Sequence, residues 1–276
     1  MINKSDLKFF DPQIELKQKA VGERLQFIPK TQIPIPSEVE ISESGMCNRK
    51  CHFCPRSDPD FEHKNEFIEF SLFKKLCDEL KELTFAGLFI FSGFVEPLLD
   101  KNIYKLISYA KKVLPKARIE IITNGDVLNL ERLKKLFDSG LNTILISVYD
   151  SKEDADKFEK LCVDAKLEKE QFVIRHRYLP PEMDYGITMS NRAGMMKDAE
   201  VKINPLKESL KLPCYYPSYT FFMDYNGDVL MCPHDWGKKI VLGNLNKKSF
   251  KDIWISKTAI NIRKKLVNLF LIKFII

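Results

Sequence analysis

Cys47, Cys51 and Cys54 fall in one short segment, Met46-Cys47-Asn48-Arg49-Lys50-Cys51-His52-Phe53-Cys54. The C-x3-C-x2-C spacing sets three thiolates on one loop, and three thiolates can grip three corners of an iron–sulfur cubane. No fourth cysteine stands nearby, so one iron would be left open to a small-molecule ligand, as the open position is in a catalytic metal site. Two other readings use the same residues. A zinc site would take His52 as its fourth ligand, but His52 directly follows Cys51, and adjacent ligands are awkward for a tetrahedral centre. An electron-carrying ferredoxin would normally bring a fourth cysteine.

A loop of this kind needs a rigid support, and the flanking sequence supplies one. Glu38-Val39-Glu40-Ile41 alternates as a strand and runs straight into the cysteines. Ser71 is then expected to cap a helix carrying Phe73, Leu76, Cys77, Leu80 and Leu83 on one face. Leu88-Phe89-Ile90-Phe91 reads as a buried strand, followed by a helix around Ile103 to Val113 and the strand Ile119 to Ile122. A helix around Leu130 to Phe137 ends at Gly140, and the strand Thr143 to Val148 follows. A helix around Ala155 to Ala165 and the strand Phe172 to Arg175 continue the pattern, with a sixth strand expected near Val201-Lys202-Ile203. Strands alternating with helices at this spacing build βα units around a parallel sheet, whose chemistry gathers at the C-terminal strand ends. The cysteine loop begins at such an end.

With those elements in place, the loop resembles that of the radical SAM superfamily, with Phe53 at the aromatic position before the third cysteine. The resemblance implies a partial (β/α)6 TIM-type barrel holding a 4Fe–4S cluster on Cys47, Cys51 and Cys54. S-adenosylmethionine (SAM) would chelate the open iron. One electron would cleave it to methionine and a 5′-deoxyadenosyl radical, which abstracts a substrate hydrogen. An electron donor such as flavodoxin or ferredoxin is implied. Ser92-Gly93-Phe94-Val95-Glu96-Pro97 resembles the family's Gly-Gly-Glu segment, with Gly93 and Glu96 toward the SAM ammonium and Val95 standing where a glycine is usual. Thr123-Asn124-Gly125 resembles the family's TNG segment, which puts Asn124 near SAM or substrate. Ser147 matches a serine that binds the SAM carboxylate. No arginine lies between Asp150 and Gln171, so Arg175 takes the place of the anion partner. The other reading of the same loop is an iron–sulfur or electron-transfer protein without SAM turnover.

Beyond Pro205 the texture changes. Tyr219 to Met223 and Asp228 to Met231 flank Tyr225-Asn226-Gly227, which predicts a hairpin, and a helix from Ser249 carries Ile253, Trp254 and Ile262. Cys214 followed by Gly227-Asp228-Val229-Leu230-Met231-Cys232 resembles the start of a SPASM or twitch extension. That resemblance implies an auxiliary iron–sulfur cluster on Cys214 and Cys232, with His234 or Asp235 as further candidates. No cysteine follows Cys232 in this sequence, so the auxiliary site is read as incomplete. Cys77 and Cys162 sit on apolar helix faces and read as core. The organisation is an N-terminal segment (1–36), a core barrel (37–205) and a small α+β SPASM-like domain (206–276).

Composition limits the setting. The chain carries 44 basic and 38 acidic residues, with lysines scattered rather than massed, so no nucleic-acid groove is expected. Seven cysteines, an odd number with three crowded together, point to a reducing cytoplasm and metal binding rather than a disulfide framework. The terminal run Leu266 to Ile276 is too short to span a bilayer, so no transmembrane segment is expected; the run reads as a terminal core element, a segment lying on a membrane surface, or a truncated or frame-shifted end. The substrate is a small metabolite or a peptide. The 35-residue approach to the barrel leaves little room for a leader-binding domain and favours the metabolite.

Overall fold

Strand β1 (Glu38–Ser42) sits in the middle of one sheet, and its alternation assigns its two faces. Val39 and Ile41 are fully buried in the apolar core, whereas Glu38 and Glu40 line a cavity on the opposite side. The computed structural model describes residues 26–183, 186–187, 189–204, 207–208 and 213–267. The first residues of the N-terminal segment and most of the apolar C-terminal run lie outside the described residues. Among the described residues, no helix is long and apolar enough to cross a membrane.

The βα units follow in the expected order: α1 (Phe70–Glu82), β2 (Leu88–Phe91), α2 (Ile103–Val113), β3 (Arg118–Thr123), α3 (Leu130–Asp138), β4 (Thr143–Val148), α4 (Lys152–Asp164) and β5 (Phe172–His176). All five strands pair in parallel, each beside its predecessor, which is the winding of a barrel. One shared core holds the helices against the strands. Phe73, Leu76, Cys77 and Leu80 of α1 pack with Phe89 and Phe91 of β2 and Ile119 and Ile121 of β3. Burying each large apolar side chain of that face contributes roughly 1.5–3 kcal/mol.

Ser71 does not cap α1. The helix begins at Phe70, its N-cap position is Glu69 without a side-chain cap bond, and Ser71 stands one residue inside the first turn. By contrast, Asn129 and Ser151 do cap α3 and α4, accepting from the amides of Arg132 and Asp154.

Residues 201–204 form no strand. The sixth parallel strand is instead β6 (Thr220–Asp224), which pairs with the far side of β1, Glu38 opposite Thr220. Its sequence reads as half a hairpin, and it is that too. β6 turns through Asn226-Gly227 into antiparallel β7 (Asp228–Leu230), and β8 (Val241–Asn244) pairs next. Gly227 holds φ +83° in the turn, where Asp224 Oδ1 accepts from the amides of Asn226 and Asp228. The eight strands run in the order β5-β4-β3-β2-β1-β6-β7-β8, so the C-terminal hairpin extends the barrel's own sheet. The helix expected from Ser249 is broken into α5 (Phe250–Trp254) and α6 (Lys257–Val267). Arg263 of α6 lies over the Trp254 ring at 3.6 Å. The architecture is a partial TIM-type barrel with a small C-terminal extension.

Candidate active site

At the C-terminal ends of the strands lies a cavity of roughly 380 Å³. Cys47, Cys51, Cys54, Phe53, Gly93, Glu96, Asn124, Ser147 and Arg175 all line it. Parts of five separate strand ends therefore converge on one space.

The cysteine loop is fixed to its neighbours at several points. Glu96 N donates to the Met46 carbonyl at 2.8 Å, joining the loop after β2 to the cysteine loop. Asn124 Nδ2 donates to Asn48 Oδ1 at 2.8 Å, and Asn48 Nδ2 donates to Asp126 at 2.7 Å. Arg56, only 3% exposed, donates to the carbonyls of Phe94 and Gly45. Phe53 packs on the ring of Tyr149 at 5.1 Å, just past β4.

Gly93 explains its own residue type. It holds φ +87°, and a Cβ there would lie 2.2 Å from Ser42 Oγ and 2.8 Å from the Phe222 ring. Ser42 Oγ occupies that space because it donates to the Ser92 carbonyl and accepts from Phe94 N. Glu96 is held at both of its carboxylate oxygens. Oε1 accepts from Thr123 Oγ1 at 2.6 Å and Leu98 N at 3.1 Å, and Oε2 accepts from Asn124 N at 2.7 Å. The carboxylate thus braces the β2 loop against the end of β3. Burial raises its pKa, while the Asn124, Thr123 and Leu98 donors oppose the rise. Ser147 and Arg175 are direct partners across β4 and β5, so the two residues expected at one anion stand side by side.

The thiols are held largely protonated when no metal is bound. Burial pushes Cys51 up to about 11, with the charge of Cys54 adding to it. Cys47 and Cys54 are raised by burial as well, and the nearby Arg56 charge works against both shifts. Metal binding at such a site displaces protons. Among the described residues, no three His, Cys, Asp or Glu side chains are arranged to hold a single metal ion. Cys47, Cys51 and Cys54 line one cavity, and three thiolates are the donors that a cubane with one open iron takes, so this donor set fits that group.

The C-terminal donor set is thinner. Cys214 is exposed, and its amide donates to Leu266 O at 3.0 Å. Cys232 accepts from His234 N, and its thiol is pushed up to about 12 by burial, with Cys214 close enough to contribute. Asp235 Oδ1 and Oδ2 accept from the amides of Lys239 and Ile240. His234 Nδ1 lies against Arg192 Nη1. The described residues there supply two thiols, short of the four ligands of a closed cluster. Cys77 and Cys162 are fully buried in the core, as their helix faces indicate.

Several cavity residues carried no sequence signal. Arg192 enters from the long connection before β6, with φ +48° at Arg192 and +55° at Ala193. Tyr149 and Arg177 line the cavity beside Ser147 and Arg175. Arg56, two residues after Cys54, could have been suspected as a cation beside a thiolate group. Glu38 and Glu40 were legible only as strand residues.

Comparison with known proteins agrees with this geometry. The sequence model of the Radical SAM superfamily matches residues 41–173, and that of the SPASM iron–sulfur cluster-binding domain matches residues 214–270. The S-adenosyl-L-methionine-dependent 2-deoxy-scyllo-inosamine dehydrogenase of Niallia circulans is 28% identical over 241 residues, covering 83% of this chain and 86% of that protein. The crystal structure of BtrN in complex with AdoMet and 2-DOIA superposes with a TM-score of 0.70 at 27% identity, covering 88% of this chain and 91% of that one. Native anSMEcpe with bound AdoMet shares the fold, with a TM-score of 0.56 at 15% identity over 84% of this chain and 83% of that one. On these matches, and on the cysteine loop at the end of β1, the chain belongs to the radical SAM superfamily and carries a SPASM-like C-terminal domain.

Proposed function

We propose that Cys47, Cys51 and Cys54 hold the 4Fe–4S cluster of a SAM-cleaving enzyme and that the adjoining cavity receives SAM and a small metabolite. The observation that carries this reading is the convergence of the three thiols with Gly93, Asn124, Ser147 and Arg175 around a single cavity. The cluster's contribution, when bound and reduced, is one-electron cleavage of SAM, whose adenosyl radical abstracts a substrate hydrogen.

The chain's own residues bind and orient. Glu96, held in place by Thr123, Asn124 and Leu98, receives the SAM ammonium together with the carbonyls of its loop. Ser147 and Arg175 take the SAM carboxylate from neighbouring strands. Phe53 and Tyr149 close an apolar wall that keeps water from the reacting atoms. A flavodoxin or ferredoxin in a reducing cytoplasm supplies the electron. Cys214 and Cys232 belong to an auxiliary metal site whose remaining ligands lie outside the pair.

A small substrate is favoured by the match to the 2-deoxy-scyllo-inosamine dehydrogenase, which spans most of both chains. The test is SAM cleavage by anaerobically reconstituted, dithionite-reduced protein, followed as 5′-deoxyadenosine. Product from the wild type and none from Cys51→Ala supports the reading. A full complement of iron without product overturns it in favour of an electron-transfer role.

A further inference from the structure

Two arginines lie close to the thiols in sequence, and their charges are treated differently. The Arg49 guanidinium is neutralised by two carboxylates, Asp126 and Asp150. Arg56, two residues after Cys54, is 3% exposed, yet among the described residues no carboxylate lies within ion-pair distance of it. Its hydrogen bonds go to neutral acceptors. Nε and Nη2 donate to the Phe94 carbonyl at 3.1 and 2.6 Å, and Nη2 also donates to the Gly45 carbonyl at 2.9 Å. Nη1 meets Nδ1 of His63 at 3.2 Å; a guanidinium only donates, so that nitrogen accepts and the ring is uncharged. The Phe61 ring covers one face of the guanidinium at 5.2 Å.

The donors are thus satisfied while a full positive charge stays uncompensated, and a buried charge without a counter-charge is costly. The groups whose negative charge reaches Arg56 are Cys47, Cys54 and Tyr225. A tyrosine is neutral at ordinary pH, whereas a thiol that ligates a metal is a thiolate. Three thiolates outweigh the positive charge of an oxidised cubane core, and one-electron reduction makes the loaded loop more negative still. A fixed cation beside that loop favours the reduced form, since net charge is among the factors that set a cluster's potential.

We propose that Arg56 is the counter-charge of the cluster-loaded cysteine loop, a positioning residue whose fixed positive charge raises the cluster's reduction potential and so eases the electron transfer that precedes SAM cleavage. The proposal rests on the assignment of the cluster to Cys47, Cys51 and Cys54 and deepens it. Arg56 exchanges no proton and takes no electron; it acts through the ligands beside it.

The test reads a potential rather than turnover. Full-length protein, reconstituted anaerobically, is titrated with dithionite and mediator dyes while the reduced cluster is followed by electron paramagnetic resonance. Arg56→Lys keeps the charge and loses the fork, whereas Arg56→Gln keeps a donor and loses the charge. His63 is exposed and admits a gentler change. His63→Asp sets a carboxylate against Nη1 and neutralises Arg56 in place, and His63→Asn is its uncharged match. His63→Asp and Arg56→Gln are each expected to lower the reduced-to-oxidised ratio at a fixed potential about tenfold, ~59 mV for one electron. Arg56→Lys and His63→Asn are expected to stay with the wild type. Equal shifts in Arg56→Lys and Arg56→Gln would trace the effect to hydrogen bonding and overturn the proposal. Coincident potentials for His63→Asp and His63→Asn would overturn it too, and that pair carries the test if the Arg56 variants load no iron. A wild-type protein that takes up no cluster would instead strike at the cluster assignment, so the two failures are distinguishable.

Discussion

Arg49 grips Asp126 through two parallel hydrogen bonds, Nε to Oδ2 at 2.7 Å and Nη2 to Oδ1 at 2.5 Å. The same guanidinium reaches Asp150 through Nη2 at 2.7 Å and Nη1 at 3.2 Å. One side chain between Cys47 and Cys51 therefore ties the cysteine loop to the segments that follow β3 and β4. Arg49→Lys keeps the charge but cannot reproduce the fork. Arg49 is 24% exposed and Asp150 58%, so the stability cost is expected to stay near ~1 kcal/mol or below. Cluster retention should suffer more, falling about tenfold or further, as it does when groups that orient metal ligands are lost. Iron release to increasing chelator, wild type against variant, measures this; equal release would show that the fork does not position the thiols.

Glu96→Gln tests the brace between β2 and β3. The new amide must direct its NH2 at either Asn124 N, another donor, or the Thr123 side. Leaving a buried donor unsatisfied costs about 1–3 kcal/mol, and urea unfolding of the variant should show a loss in that range. Weaker SAM binding should accompany it, because Glu96 N also holds Met46 of the cysteine loop.

Glu43 lies four residues before Cys47, fully buried, and neither carboxyl oxygen has a hydrogen-bond partner among the described residues. Burial raises its pKa well above 4.5, and the charges of Asp100 and Glu96 add to the rise. A carboxyl raised on folding contributes stability that is fully present below its unfolded value and is lost as pH climbs through the folded value. Wild-type stability should therefore fall, relative to Glu43→Gln, as pH increases above 4.5. Urea unfolding of cluster-free protein over a pH series measures the difference. Parallel curves for the two proteins would show that Glu43 does not titrate with folding.

The seven cysteines should separate by reactivity. Cys214 is exposed, whereas Cys77 and Cys162 are fully buried with their thiols pushed up by desolvation, Cys162 to about 12. An alkylating reagent acting on native cluster-free protein should mark Cys214 first and leave Cys77 and Cys162 untouched until the chain unfolds. Mass mapping of the labelled peptides reads the order. A Cys77→Ala and Cys162→Ala double variant should retain its iron, since neither thiol lines the cavity.

Local information carried much of this protein. The thiol spacing at 47, 51 and 54 names a metal chemistry whatever the fold, because three ligands on one loop are near each other by covalent connection alone. Apolar runs and periodicity located β1 to β5 and α1 to α4 to within about three residues at their ends, since each face answers to one buried core. What depends on distant segments meeting was decided by tertiary structure. The run at 220–224 reads as one arm of a hairpin, and nothing in it says that its other edge pairs with β1. The helix start at Phe70 depends on packing rather than on Ser71, whose cap chemistry went unused. The donors that hold Glu96, Thr123 and Asn124, are ones that only folding brings within reach. Arg192 joined the cavity from a connection without periodicity, and Glu38 and Glu40 came to line it only once the sheet had formed. Spacing along a chain can declare a ligand set, but the charge and shape of a pocket are sums over segments that the chain keeps far apart, and only the folded barrel performs that sum.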